Sequence, residues 1–289
     1  MKILAIVAIL CAIPPQATEL TKAEKVLVDR PDDPAANTTL GAYYAGSADW
    51  ERAMPYLGKS KAPEVVTGLD AEKKEDGNYL TWVEIADAWT KKLPKSGSVR
   101  QTCIDRANYW YLRAWPNLDE VWRAKLRERL ARLYTPTTPG RSTGFQEGWS
   151  GPADGAHKAL LTAERVHSGG TAMKLIPSKK AKNARLLFTP SVEVKPGKKV
   201  EFSLWILTDG TGSVDDHVRF YIDGQVGAKA IVKDCPIWQR LSFETEAGEG
   251  TIKANIEVVL FSTFGTAYVD DVSIKIDGKE GLQGGSFEK

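Results

Sequence analysis

Val194-Lys195-Pro196-Gly197-Lys198-Lys199-Val200-Glu201-Phe202-Ser203-Leu204-Trp205-Ile206-Leu207 is the stretch on which the fold turns. A proline–glycine turn opens into a run where Val200, Phe202, Leu204 and Ile206 alternate with Glu201, Ser203, Trp205 and Leu207. A period of two marks a strand with one buried face. Val192-Glu193-Val194 precedes it, and similar short runs follow at 218–222, 230–232, 238–243, 252–261 and 267–276. Turn residues such as Asp223-Gly224 and Glu249-Gly250 separate them. Eight or nine such strands without an intervening helix predict an antiparallel sandwich or barrel.

Upstream the period changes. Apolar residues recur at spacings of three and four in Trp82, Ile85, Ala86 and Trp89, and again in Ile104, Ala107, Tyr111, Ala114 and Trp115. That spacing lines one face of a helix. A last helix is expected over about 118–134, with Val121, Trp122, Leu126, Leu130 and Leu133 on one side. Asn117 reads as its N-cap, and Pro116 closes the helix before it. Thr135-Pro136-Thr137-Thr138-Pro139-Gly140-Arg141-Ser142 has no periodicity and reads as a linker. The chain therefore reads as multidomain, α then β: a helical domain over 18–134, the linker over 135–142, and a jelly-roll β-sandwich over 143–289.

The first segment is an address label. Met1-Lys2, an apolar run over 3–13 and then Pro14-Pro15-Gln16-Ala17 describe a signal peptide, with cleavage expected after Ala17. The run is too short to span a bilayer. Lipid modification at Cys11 is the alternative, but Leu10 stands where a small residue is needed. The protein is expected to be exported, with no membrane span in the mature chain. Cys103 and Cys235 fall in different halves, so two unpaired, buried thiols are expected, and neither has zinc-ligand spacing. A formal net charge of +2 supplies no basic field for nucleic acid or an anionic membrane. The densest cationic run, Lys179-Lys180-Ala181-Lys182, reads as a solvated loop.

Leu40, Gly41, Tyr44, Trp50 and Ala53 fall at offsets that resemble one tetratricopeptide repeat. Trp89, Ala107, Tyr111 and Ala114 resemble a second, looser one. The resemblance implies a degenerate tetratricopeptide-like domain, a class that usually contacts a protein partner. The competing reading is that every tryptophan here is core, because a small domain needs large side chains.

The β half resembles carbohydrate-binding modules of the CenC type, families 4 and 9, over residues 143–276. The resemblance is carried by Gly144-Phe145-Gln146-Glu147-Gly148-Trp149, by His167-Ser168-Gly169-Gly170, by the stretch quoted first, by Trp238-Gln239-Arg240-Leu241-Ser242-Phe243, and by Gly265-Thr266-Ala267-Tyr268-Val269-Asp270-Asp271-Val272. It implies a jelly-roll that binds a polysaccharide or other glycan and carries a structural calcium. The candidate calcium ligands are Glu147, Asp270 and Asp271, hard oxygen donors; Gln146 stands where the family has glutamate. The competing reading has one aspartate capping backbone amides and the other solvated. Trp149, Trp238 and Phe243 are assigned to the core. Trp205 and Tyr221 lie out of phase with buried neighbours and are the candidate sugar platforms, with Arg219, Asp223, Gln225 and Glu257 as polar partners.

Catalytic signatures are absent. His157, His167 and His217 stand in no nucleophile elbow, and no HExxH, P-loop or Rossmann pattern occurs. The pairs Asp215-Asp216 and Asp270-Asp271 are adjacent, and adjacent strand residues point to opposite faces, whereas glycoside hydrolysis needs opposed carboxyls. A secreted, non-catalytic binding protein is the expectation; a scaffold without sugar binding and a cryptic glycoside-active enzyme are the alternatives. Gly284-Gly285-Ser286-Phe287-Glu288 resembles the opening of another module and reads either as a vestige or as an edge strand.

Overall fold

The computed structural model describes residues 15–135, 149–150, 158–177, 184–188, 192–212, 215–222, 225–249, 252–261 and 265–281. Most of the signal segment, linker residues 136–142, Glu147, His157, the 179–182 run, Asp223 and the 284–288 segment lie outside the described residues. The chain divides into two compact units, Met1–Ala114 and Trp115–Lys289.

The first unit is helical: α1 (Pro15–Asp29), α2 (Pro34–Gly46), α3 (Trp50–Leu57), α4 (Pro63–Glu72), α5 (Tyr79–Thr90) and α6 (Ser98–Ala114). Short polar side chains set three starts. Asp33 accepts from Ala36 N at 3.0 Å, Asp49 from Arg52 N at 3.1 Å and Asn78 from Leu80 N at 2.8 Å, each satisfying an amide that the first turn leaves open. Gly41 lets α2 and α3 touch, since a Cβ there would lie 2.6 Å from Leu57 Cδ2. Gly68 likewise seats the indole of Trp89, with a Cβ position only 2.2 Å from its ring. Ile85, Ala86, Trp89, Ile104, Ala107, Tyr111 and Ala114 are all buried, as their spacing predicts.

The polar keystone of this unit is Glu72. Its carboxylate accepts from Arg106 Nε at 2.6 Å and Arg106 Nη2 at 2.9 Å. Trp89 Nε1 at 2.9 Å and Trp110 Nε1 at 2.8 Å donate to it as well. Two indoles from different helices thus bury their rings while their N–H groups find one acceptor. Cys103 is free and buried, and burial pushes its thiol up to about 12.

The second unit opens with a 3-10 turn (Trp115–Asn117) and α7 (Glu120–Tyr134). Asp119, not Asn117, caps α7, accepting from Trp122 N at 2.8 Å; Asn117 is taken up in the turn. Val121 is 63% exposed, and the buried stripe is Leu126, Leu130 and Tyr134. The helix expected to end the first domain therefore sits with the strands. Val166 N donates to Tyr134 O at 3.0 Å, the Tyr134 ring meets Trp238 edge-on at 6.3 Å, and Arg127 pairs with Asp209 at 3.4 Å.

The strands are β1 (Trp149–Ser150), β2 (Lys158–Thr162), β3 (Ala172–Ile176), β4 (Ala184–Phe188), β5 (Val192–Val194), β6 (Lys199–Asp209), β7 (His217–Ile222), β8 (Gln225–Ile231), β9 (Gln239–Glu246), β10 (Ile252–Leu260), β11 (Thr266–Ile276) and β12 (Lys279–Glu280). They form two antiparallel sheets, the sandwich that the alternation predicts. The first has the order β1-β4-β10-β7-β8, with β5 also on β10; the second has β2-β3-β11-β6-β9, with β12 on β11. Val200, Phe202, Leu204 and Ile206 of β6 face Val218 and Phe220 of β7 and Ala254, Ile256, Val258 and Leu260 of β10 across one core. Phe202, Phe220 and Phe243 meet at centroid distances of 5.6, 6.1 and 6.0 Å.

Candidate binding faces of the sandwich

With the even positions of β6, β7 and β10 in the core, their odd positions form the outer faces. Trp205 stands on the outer face of the second sheet, while Tyr221, Arg219 and Glu257 stand on that of the first. The two expected platforms therefore do not share a face. β6 pairs with β9 and β11, whereas β7 pairs with β8 and β10, and alternation within a strand says nothing about which sheet it joins.

On the second sheet the half-buried Trp205 stacks on the buried His167, ring centroids 3.8 Å apart and planes 18° apart. His167 in turn meets Trp238 edge-on at 5.7 Å. The turn bearing His167 is pinned by the aspartate pair. Asp270 Oδ2 accepts from His167 N at 2.9 Å and Ser168 N at 3.2 Å, and Asp270 Oδ1 from Asp271 N at 2.8 Å. Asp271 Oδ2 bonds His167 Nδ1 at 2.6 Å, and its Oδ1 accepts from Ser168 Oγ at 2.6 Å. Here the expectation that adjacent strand residues face apart fails. The register shifts between Asp270 and Ser273, and Asp271 takes φ +45°, so the bulge turns both carboxyls onto one loop.

Asp270 is fully buried, and burial, reinforced by the charge of Asp271, pushes its carboxyl well above the ordinary range. Calcium takes about six to eight oxygen ligands. Both oxygens of Asp270 and both of Asp271 are already engaged by N–H or O–H partners, and Glu147 lies outside the described residues. Among the described residues no group of three His, Cys, Asp or Glu side chains converges on a metal position.

The outer face of the first sheet is organised in cross-strand rows. Arg219 stands opposite Glu257, with Lys229 on its other side; Tyr221 stands opposite Asn255; His217 stands opposite Val259, with Ile231 beyond. The Tyr221 hydroxyl donates to Glu257 Oε2 at 2.6 Å, and Arg219 Nη1 lies 3.4 Å from the same oxygen and 3.5 Å from the hydroxyl. That hydroxyl, with the carboxylate behind it, holds the Arg219 guanidinium above its ordinary value. Gln225 pairs with Ile222, one position out of phase with Tyr221, and its side chain lies outside the described ones.

Three residues that the sequence reading left out belong to this face. Phe261, 37% exposed, stacks on His217 with centroids 5.4 Å apart. His217 Nδ1 bonds the carbonyl of Asp215 at 2.6 Å; among the described residues neither its buried Nε2 nor Asn255 Oδ1 has a hydrogen-bond partner. The signal for Phe261 was present in the alternation of β10, which puts 255, 257, 259 and 261 in one phase.

No protein-family model matches the chain, and no curated protein is significantly similar to it. Solved structures resemble about half of it. The xylan-binding domain CBM22-1 from Paenibacillus barcinonensis Xyn10C is 16% identical over 48% of this chain and 97% of its own, with a TM-score of 0.33. A CBM4 structure is 17% identical over 45% and 95%, with a TM-score of 0.32. TmCBM61, solved with β-1,4-galactotriose, is 17% identical over 49% and 97%, with a TM-score of 0.34. At such scores these likenesses carry no argument about a ligand.

Proposed function

We propose that the second unit is a non-catalytic glycan-binding module whose contact surface is the outer face of the first sheet. One observation carries the reading: Tyr221, Arg219 and Glu257, on two neighbouring strands, converge there in a hydrogen-bonded cluster, with the exposed Phe261 ring on the same face. An aromatic ring flanked by fixed polar groups is what a pyranose needs, one face to stack on and hydroxyl partners at the edge. The CenC-like segments of the sequence support the same reading. For the helical unit we infer a tetratricopeptide-like role in contacting a protein, supported by the exposed tyrosines Tyr43, Tyr79 and Tyr109. Export through the N-terminal segment completes the proposal, and mature-chain N-terminal sequencing tests it.

The binding test uses the full chain in affinity electrophoresis through gels containing xylan, mixed-linkage β-glucan, β-1,4-galactan or polygalacturonate, with and without calcium. Retardation by at least one glycan is expected, weakened about tenfold or more in Tyr221→Ala. Unretarded migration in every gel sinks the reading and leaves the scaffold role.

A further inference from the structure

On the first-sheet face two buried acceptors find no hydrogen-bond donor among the described residues. His217 Nδ1 lies 2.6 Å from a backbone carbonyl, which only accepts, so Nδ1 carries the proton and Nε2 keeps its lone pair. Burial holds this imidazole below its ordinary value, helped by Lys229 of β8 and Arg219 of β7 and opposed by the Asp215 carbonyl and Glu257 of β10. Asn255 Oδ1 is the second acceptor. The two sit one cross-strand row to either side of the Arg219–Glu257 pair, about 14 Å apart along β7 at roughly 3.4 Å per residue. A buried acceptor without a donor is destabilising until something donates to it.

Resting on the glycan reading above, we propose that recognition at this face runs through His217 Nε2 and Asn255 Oδ1 as paired acceptors of ligand hydroxyls, which makes binding depend on pH. The Arg219 guanidinium is engaged by Glu257 and Tyr221, so it is not the anchor. The half-exposed Phe261 ring lies on the imidazole and is the cover that must turn aside to admit a hydroxyl. Protonation of Nε2 converts the acceptor into a donor, so the ligand hydroxyl can no longer donate there and must turn to accept.

The same gels, run with the full chain at pH 7.5 and pH 5, test this. His217→Phe retains a ring for Phe261 but has no acceptor, and Asn255→Leu removes the other. Each is expected to weaken retention about tenfold, the worth of one well-made hydrogen bond. His217→Gln, which restores an acceptor, is expected to recover most of the binding and to lose the difference between the two pH values. Circular dichroism of each variant separates misfolding from lost contact, and a third variant, Asn255→Asp, keeps an acceptor oxygen and should bind. If Tyr221→Ala abolishes retention while His217→Phe and Asn255→Leu keep it at both pH values, the face stands and the acceptor pair is overturned. If no gel retards the wild-type chain, the glycan reading falls and takes the acceptor pair with it.

Discussion

The indole of Trp205 lies flat on the imidazole of His167, centroids 3.8 Å apart, and His167 is itself 4% exposed. One face of the indole is therefore covered by the protein's own side chain. Trp205→Ala is expected to cost about 2–3 kcal/mol, below the range for a fully buried tryptophan because Trp205 is half-buried. Urea denaturation measures that loss, and glycan retention should change less than about twofold.

Tyr221 offers a contrast on the other sheet. Tyr221→Phe keeps the ring and deletes the hydroxyl that donates to Glu257 at 2.6 Å. Retention on the glycan bound by the wild-type chain should fall less than about threefold, against roughly tenfold or more for Tyr221→Ala. Equal losses in the two variants would show that the hydroxyl, not the ring, makes the contact.

Asp270 pins the 166–168 turn through backbone amides. Asp270→Ala leaves the amides of His167, Ser168 and Asp271 without an acceptor and should cost about 3 kcal/mol. Because burial raises its folded pKa above the ordinary 3.8, the stability it contributes is present below that value and is lost as pH rises through the folded pKa. Urea midpoints of the wild type and Asp270→Asn between pH 4 and 7 should converge toward acid and separate toward neutrality. A chelator should leave the wild-type melting temperature unchanged; a fall of several degrees would show calcium held by Asp270, Asp271 and Glu147 after displacement of His167 and Ser168.

In the helical unit, Glu72 neutralises Arg106 where both side chains are about one-seventh exposed, at 13% and 14%. Glu72→Gln keeps one acceptor oxygen for the two indoles but removes the charge and sets an amide NH2 against Arg106 Nη2 in place of Oε2, for an expected loss of about 3 kcal/mol. The helical signal in thermal unfolding should move down while the sandwich's near-ultraviolet signal does not.

His217 acts in the opposite sense to Asp270. Its folded pKa is lowered by burial, so its contribution is present above the unfolded value of about 6.5 and is lost as pH falls through the folded one. His217→Phe should flatten the stability curve on the acid side of pH 6.5, read by urea midpoints at half-unit steps.

Alternation and spacing were enough to read much of this architecture. Val200, Phe202, Leu204 and Ile206 declared the inner face of β6, and Trp89, Ala107 and Tyr111 the core of the helical unit, because burial of apolar side chains imposes the local period directly. The caps were less legible: Asp119 rather than Asn117 starts α7, a choice between two good cap residues two positions apart. The proposed face was half-legible. Tyr221, Arg219 and Glu257 were named together and share one face, whereas His217 was weighed only as a catalytic candidate and Phe261 and Asn255 were passed over, although their phase places them beside the others.

What the sequence by itself determined is the phase of each strand: which residues turn inward and which outward, since that depends only on neighbours along the chain. Which sheet a strand joins was decided by tertiary structure alone, because it depends on pairing between segments far apart in sequence. Trp205 and Tyr221 share a phase and still ended on opposite outer faces, one stacked on His167 and the other bonded to Glu257. The bulge at Asp271 was likewise invisible to a period of two, since it arises where β11 gives up its register to bring two carboxyls onto one turn.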